Sequence, residues 1–517
     1  MSPPVKQINP WIIAISVMLA TFMEVLDTTV VNVSLPHIAG SMSASIDEAT
    51  WALTSYLVAN AIILPITGWL ARTLGRKRLL TWAIIGFTSA SFLCGLAPNL
   101  PALIFFRVLQ GASGGCLQPI SQAVMLEAFP PRDRGKAMAF WGLGIVVAPM
   151  LGPVLGGWLT DSYSWRWVFY INIPIGVLAI LMTRAFIFDP PYLRRESTGI
   201  DYWGIGLLAI GIACLQIVLD KGQEDDWFSS RFILTLGIIC VIGLSAFIAR
   251  ELLARDPVVH LRVFRNRTYA TGVFLMTMLG FVLYGSLVLL PIFLQTLLGY
   301  PAMEAGLALF PRGLGSFLGM PLVGVLLSKF DSRKLLAIGM VGASFTLFQL
   351  SWLNLNAGYW NIFWPQFIQG AALSLLFVPL TTSTMDPIPV QEMGNATSLF
   401  NLLRNLGGSI GIAMSNTYLF RRQQMHTARL GSHVNPYNPL AMNMVQGLRS
   451  ELERRGEDAV TALHQAWGAV FGMVQQQAAM QSFVDTFRLL GLIFLLLVPM
   501  LLLMKRPGHK GGPSAMH

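Results

Sequence analysis

Gly68-Trp69-Leu70-Ala71-Arg72-Thr73-Leu74-Gly75-Arg76-Lys77-Arg78-Leu79-Leu80 closes one apolar run and opens the next, and the chain does this twice. The stretch aligns without gaps on Gly324-Val325-Leu326-Leu327-Ser328-Lys329-Phe330-Asp331-Ser332-Arg333-Lys334-Leu335-Leu336. Further on, Leu109-Gln110-Gly111-Ala112 is echoed by Ile368-Gln369-Gly370-Ala371, and Pro130, Gly135 and Ala137 by Pro389, Gly394 and Ala396. The last two echoes share one offset, the first lies within a helical turn of it, and all three keep the same order. The chain therefore reads as two related halves with an insertion between them.

The composition says what surrounds those halves. Of 517 residues, 54% are hydrophobic and only 12% are charged. An ordinary soluble protein carries about a quarter charged residues, so this chain has too little polar surface to coat a globule of its size. The composition excludes a soluble enzyme, a nucleic-acid binder and a disordered scaffold. The net charge of +10 gains its meaning from placement. Cys94, Cys116, Cys214 and Cys240 all sit inside apolar runs, without the spacing of a disulfide framework or a metal site.

A membrane helix needs about 20 mostly apolar residues. That measure gives fourteen segments: 11–35, 50–70, 79–97, 101–128, 137–159, 165–187, 199–219, 232–252, 269–297, 305–327, 335–354, 360–384, 394–419 and 484–504. The first has no small-residue cleavage site and reads as a retained span. Positive charge alternates strictly between connections. One side holds Arg72, Arg76, Lys77 and Arg78; Arg132, Arg134 and Lys136; Arg194 and Arg195; Arg255, Arg262, Arg265 and Arg267; Lys329, Arg333 and Lys334; and the tail with Lys505, Arg506 and Lys510. Residues 36–49, 97–100 and 298–304 have no Lys or Arg. The positive-inside rule then puts both termini in the cytoplasm. The expected fold is an all-α polytopic membrane protein: a six-helix bundle over 1–198, two inserted helices over 199–252, a second bundle over 253–504, and a cytoplasmic tail over 505–517. The long polar connection 420–483 lies outside, since long loops cross regardless of charge. Apolar spacing from Ala459 to Met480 predicts helix there. Duplicated halves, with a substrate site near the midplane where they meet, are the architecture of secondary transporters.

Charges inside such spans are costly and mark functional sites. Glu24 and Asp27 share one face of the first span, about 4.5 Å apart along the axis. Arg107 sits in the fourth segment and Arg404 in the thirteenth. Two carboxylates in a poorly hydrated cavity cannot both ionise cheaply. One of them can therefore load a proton on one side and release it on the other. Arg107 stays charged, so its part is to switch a carboxylate or to form a fixed pair. Gln110, Gln118, Tyr284, Gln366, Gln369 and Asn401, with Arg404, are candidate lining residues of a substrate cavity; each is also a candidate helix-packing hydrogen bond. The fifth segment carries Gly144, Pro149, Gly152, Pro153, Gly156 and Gly157, small residues that permit close helix approach and prolines that bend an axis. That pattern predicts a gating interface.

These motifs together resemble the major facilitator superfamily, and within it the fourteen-span drug:proton antiporters. Gly68, Arg72, Gly75, Arg76 and Lys77 match its cytoplasmic loop signature, although Arg72 stands where many members carry Asp. Arg107-Val108-Leu109-Gln110-Gly111 matches the fourth-span motif tied to proton coupling, and Gly144 to Gly157 the fifth-span antiporter motif. Leu26-Asp27-Thr28-Thr29-Val30-Val31-Asn32-Val33 matches the first-span motif, whose acid is Asp27. Trp165-Arg166-Trp167-Val168-Phe169-Tyr170-Ile171-Asn172 and Trp364-Pro365-Gln366-Phe367 extend the likeness to EmrB-like multidrug efflux permeases, with exporters of the FarB type beside them. The resemblance implies a permease of the bacterial inner membrane that exports hydrophobic or amphipathic compounds. It implies a proton gradient as the energy source and no cofactor. It also implies a periplasmic adaptor of the EmrA type and an outer-membrane channel of the TolC type, with 420–483 as the adaptor contact. A dedicated exporter of fatty acids, lipids or siderophores is the alternative. Nothing in the sequence has the pattern of a catalytic or metal site, and no nucleotide domain has room.

Overall fold

The computed structural model describes residues 9–189, 201–254, 257–327 and 329–504. Arg194, Arg195, Arg255, the start of the 199–219 segment and the tail 505–517 lie outside the described residues. The described chain is helical throughout, without strands.

The helices begin where the sequence supplies caps. Helix α1 (Pro10–Ser41) starts on Asn9, whose side chain accepts from Trp11 N, with proline at the first position, where its missing N–H costs nothing. Helix α2 (Ile46–Leu74) opens with a capping box between Ser45 and Glu48. It ends at Gly75, whose φ of +84° favours glycine, and α3 (Arg76–Leu96) follows at once.

The expected single span 101–128 is two helices, α4 (Leu100–Gly114) and α5 (Leu117–Ala128), interrupted at Gly115 and Cys116. Helix α6 (Arg134–Ser162) runs unbroken through Pro149 and Pro153. The span expected at 165–187 is also divided, into α7 (Trp167–Tyr170) and α8 (Asn172–Phe186). Helices α9 (Tyr202–Lys221) and α10 (Arg231–Leu253) form the insertion. At its end Arg250 grips Asp201 with two nitrogens at 2.7 and 2.9 Å. These bonds hold the Asp201 carboxyl below the usual carboxylate range.

Helix α11 (Arg267–Thr296) opens the second half. The 305–327 span divides into α12 (Ala302–Leu307) and α13 (Phe310–Leu326) just before Pro311. Helices α14 (Ser332–Leu350), α15 (Tyr359–Met385) and α16 (Met393–Gly431) follow. In the polar connection 420–483 the helix expected from Ala459 to Met480 is present, and most of the rest of the connection is helical too. Helix α16 continues into it, α17 (Pro439–Arg454) lies within it, and α18 (Ala459–Leu497) runs from it into the last span. Val445, Ala466 and Val470 bury a small apolar core there, and Asp485 ties α18 to His426 and Arg422 of α16 at 2.9 and 3.1 Å.

Twelve helices among the described residues are long and apolar enough to cross a membrane. Helices α14 and α16, at two of the expected segments, fall short of that measure. The reason in α16 is its inward face, where Asn395, Ser398, Asn401 and Arg404 are all buried. Large apolar side chains such as Trp82, Leu181, Val241 and Leu253 are exposed, which suits a lipid surface and would be a liability in water.

Helices α1–α8 pack chiefly on one another, as do α11–α16 and α18, while α9 touches both α2 and α16. Gln216 of α9 donates to Ser409 of α16 at 3.1 Å, and Lys221 donates to Thr50 of α2 at 2.6 Å. Direct contacts between the groups run chiefly through α6 with α13 and α2 with α16, with α5 against α16 and α6 against α15 beside them. The repeat explains this pairing. A Cβ on Gly68 would lie 2.8 Å from Asn395 Cα, beside Gly394, and one on Gly324 would lie 3.2 Å from Lys136 Cα, beside Gly135. Gly68 matches Gly324 and Gly135 matches Gly394, so the two interfaces are related by the pseudo-symmetry of the halves.

Within the second half, α13 and α15 approach so closely that a Cβ on Gly370 would collide with the Arg312 carbonyl oxygen. Gly370→Ala is expected to cost about 1–3 kcal/mol by overpacking, read as a lower thermal unfolding midpoint in detergent. Gly157→Ala, with open space around it, is expected to unfold like the unaltered protein.

Candidate functional site

The face of α1 that carries Glu24 and Asp27 turns inward, and both residues are buried. Arg107 and Gln110, one helical turn apart on α4, reach it together. Arg107 Nη1 donates to Asp27 Oδ2 at 2.6 Å and to Gln110 Oε1 at 2.8 Å. Gln110 Nε2 and Asn172 Nδ2 donate to Asp27 Oδ1 at 2.9 and 2.7 Å. Arg107 Nε donates to the Ala52 carbonyl at 3.0 Å, and the guanidinium lies 4.1 Å from the centre of the Tyr56 ring. Asp27 thus has a charge partner and two amide donors, as a buried ion requires.

Glu24 is held differently. Asn60 Nδ2 of α2 donates to it at 3.0 Å, and Gln118 Nε2 of α5 donates to its other oxygen. The Gln118 carbonyl oxygen in turn accepts from Arg404 Nη2 of α16. A hydrogen-bonded chain therefore runs from the acid in the first half, through one amide, to a guanidinium in the second. Beside it, Asn401 of α16 donates to Gln122 of α5.

A cavity, part of it open to the exterior, lies between α6 and the second half. Its walls are mostly apolar, among them Pro149, Met276, Leu283 and Phe377, with Tyr284, Arg312 and Arg404 as its polar members. Among the described residues no carboxylate lines it. Arg312 is buried; its Nε donates to Gln366 at 2.9 Å and its Nη2 to Gln369 at 2.6 Å.

Tyr284 and Arg404, expected as cavity residues, do line this space, but Gln110, Gln118, Gln366, Gln369 and Asn401 do not. Their amides are committed to buried neighbours, because a polar group inside a packed helix bundle must find a partner. In the fifth-span motif Pro149 lines the cavity, and Pro153 packs near Gly306 of α12. Gly144, Gly152 and Gly156 take Met18, Thr29 and Val30 of α1 against the helix, and Gly157 meets nothing. In the loop motif, Arg76 pairs with Glu127, and Lys77 Nζ donates to the Arg184 carbonyl at 2.7 Å. Gly75 and Lys77 N lie against Asp189, and Arg72 sits in the last turn of α2. The loop motif is thus a local clamp between α3, α5 and the end of α8. Sequence reading passes over Arg312, although a charge within an apolar run is the signal that marks Arg107. Asn172 carries a weaker one, an amide inside an apolar segment.

The profile of the Major Facilitator Superfamily matches residues 17–412. Two relatives match over nearly their whole length. Fatty acid resistance protein FarB of Neisseria gonorrhoeae is 39% identical over 99% of each chain. Multidrug export protein EmrB of Escherichia coli (strain K12) is 39% identical over 98% of each. Among solved structures, a double-tryptophan mutant of XylE superposes with a TM-score of 0.61, covering 97% of each chain at 14% identity, a likeness of fold alone.

Removing one partner of the Asp27–Arg107 pair strands a charge. Arg107→Gln and Asp27→Asn are each expected to cost about 3–5 kcal/mol. The double variant, neutral at both positions, is expected to recover most of the loss in thermal unfolding of the detergent-solubilised protein.

Proposed function

The chain belongs to the Major Facilitator Superfamily, and on that premise we propose that it is a proton-coupled antiporter that exports hydrophobic and amphipathic compounds by alternating access. In this reading it crosses the bacterial inner membrane fourteen times, α14 and α16 included, with both termini in the cytoplasm. The halves rock about interfaces that join α2 to α16 and α6 to α13. The relatives named for multidrug export and fatty acid resistance support the class of cargo.

One observation carries the proposal: two acids on one face of α1, both out of reach of water, each wired to a different partner. Protonating Asp27 would leave Arg107 as an uncompensated buried cation, so the proton can replace the guanidinium only if the pair separates. That separation requires α1 and α4 to move relative to each other. Protonating Glu24 removes the charge on which the Gln118 amide is oriented, and that amide also holds Arg404 of the other half. A proton on α1 is thereby felt at the interface between the halves and at the cavity wall. Cargo enters the cavity from one side and leaves on the other as the proton moves inward.

The helical extension of α16, α17 and α18 on the outer side carries exposed Tyr437, Leu440 and Val460. We infer that this extension meets a periplasmic adaptor of the EmrA type, itself joined to an outer-membrane channel of the TolC type. A dedicated exporter of fatty acids is the second reading, favoured by the arginines in the cavity wall.

In proteoliposomes, efflux driven by a pH gradient is expected to fall to background in Glu24→Gln and in the Asp27→Asn/Arg107→Gln double variant, with both proteins folded. Undiminished efflux in either would exclude its acid from coupling. A second expectation concerns rocking. A Cβ on Gly135 would lie 3.5 Å from Leu327 Cβ, within the Cβ separation of about 3.5–4.5 Å that a disulfide spans. Gly135→Cys with Leu327→Cys is expected to stop transport on oxidation and to regain it on reduction.

A further inference from the structure

Among the described residues three side chains hydrogen-bond the Asp27 carboxylate, and two of them ride on one helix. Arg107 and Gln110 both belong to α4, so a movement of α4 that draws the guanidinium away from α1 draws that amide with it. Asn172 is the exception. It opens α8, just past the break at Ile171, and α8 packs on α1 and on α3. One turn further on, Gly176 lets Thr88 of α3 so close that a Cβ there would collide with the Thr88 hydroxyl. The first turn of α8 is thus fixed beside α1 through a helix other than α4.

The Asn172 amide is held in one orientation. Its Nδ2 donates to Asp27 Oδ1 at 2.7 Å and to Ser91 Oγ at 3.0 Å. The Ser91 hydroxyl donates to the Phe169 carbonyl at 2.8 Å, so its oxygen is left to accept. With the amide reversed, its oxygen would face the carboxylate and Ser91 would have to leave Phe169 to meet it. Asn172, Ser91 and Asp27 are all wholly buried, so bulk water does not compete for these bonds.

A carboxylate accepts at both oxygens, whereas a carboxylic acid keeps a carbonyl as its acceptor and turns the other oxygen into a donor. Oδ1 has an N–H aimed at it from a helix that stays in place, so Oδ1 remains the carbonyl. The proton then belongs on Oδ2, which Arg107 Nη1 holds at 2.6 Å. We propose that Asn172, backed by Ser91, is a positioning residue for proton exchange: it keeps Oδ1 of Asp27 as an acceptor and directs the proton to the oxygen that Arg107 vacates. One bond forms, Oδ2–H, with the hydrogen ion taken from water outside and returned to water inside. Arg107 keeps its charge throughout.

The same amide governs how readily that proton leaves. A hydrogen bond to an ionised group is about twice as strong as a neutral one, so a fixed N–H donor favours the carboxylate over the acid. The other titratable groups around Asp27 are Arg107 on α4, Glu24 one turn earlier on α1, Tyr56 on α2 and Cys94 on α3. Helices α5 to α8 carry theirs only at their ends. Replacing Asn172 changes the charge of none of them. The inference deepens the proton-coupled reading and rests on it.

The test is infrared difference spectroscopy of the full-length protein in detergent across a pH titration. The Asp27→Asn/Arg107→Gln double variant, which has no acid at this position, identifies the carbonyl band of protonated Asp27. A donor on the carbonyl oxygen lowers that band. Asn172→Leu is therefore expected to move it to higher frequency and to raise the pH of its half-appearance by about one unit. Ser91→Ala, which frees the amide to turn, is expected to shift both readings the same way by less. In proteoliposomes Asn172→Leu is expected to lose most efflux, and to regain it when the proton-releasing side is made about one unit more alkaline. A packing defect would not be relieved by pH. An unmoved band and midpoint in Asn172→Leu would overturn the proposal, as would lost efflux that alkalinity does not restore. Should that variant fail to fold, Ser91→Ala decides on the same two spectroscopic readings. A band that responds to Asn172→Leu, in a protein whose efflux needs no pH gradient, would remove the proton-coupled reading and leave this role of Asn172 standing. Gradient-driven efflux with an unmoved band would do the reverse.

Discussion

Asp27 and Arg107 face each other at 2.6 Å where neither is exposed, and the first half is organised around keeping them there. An ion pair out of water stabilises only when every remaining lone pair and N–H is used. The structure meets most of that demand with residues from three helices, Gln110 beside Arg107 on α4, Asn172 on α8, and the Ala52 carbonyl and Tyr56 ring on α2, and leaves Arg107 Nη2 without a hydrogen-bond partner. Such a pair is a poor choice for stability alone, because apolar residues would pack there at less cost. Its value lies in what it makes conditional. Neither partner can change its charge or its contact unless the surrounding helices shift.

The relation between the halves carries this condition across the molecule. Gly68 with Gly394, and Gly135 with Gly324, bring backbones together at one end of the bundle with little side-chain bulk between them. Small contact residues allow two rigid bodies to meet and part without repacking large side chains. Polar connections cross the same interface deeper in, through Gln118 with Arg404 and Gln122 with Asn401. The inserted pair adds a strap on the far side, where α9 bonds to α2 and to α16 at once.

Much of this was legible in the sequence. Apolar runs gave the helices because lipid leaves the backbone no other partner, and Asp27, Arg107, Glu24 and Arg404 announced themselves as charges in oil. Two things were hidden. Helix breaks at Gly115 and before Pro311 change neither composition nor run length, so spans 101–128 and 305–327 looked continuous. The direction in which a polar side chain points was hidden too. Gln110, Gln366 and Gln369 carry the amides a drug cavity would use, yet spend them on Asp27, Arg107 and Arg312. Which neighbour an amide serves depends on packing between helices far apart in sequence. The repeat alone held a hint, since it sets Gln366 and Gln369 opposite Arg107 and Gln110.

Gln118 shows how little material a directional link needs. A carboxamide has one donating end and one accepting end, and here the donor serves Glu24 while the acceptor serves Arg404. Turning the group over would set oxygen against carboxylate and N–H against guanidinium, so both bonds fail together. The amide thus behaves as a polarised connector with one permitted orientation, and a glutamate or a methionine of similar length could not substitute for it.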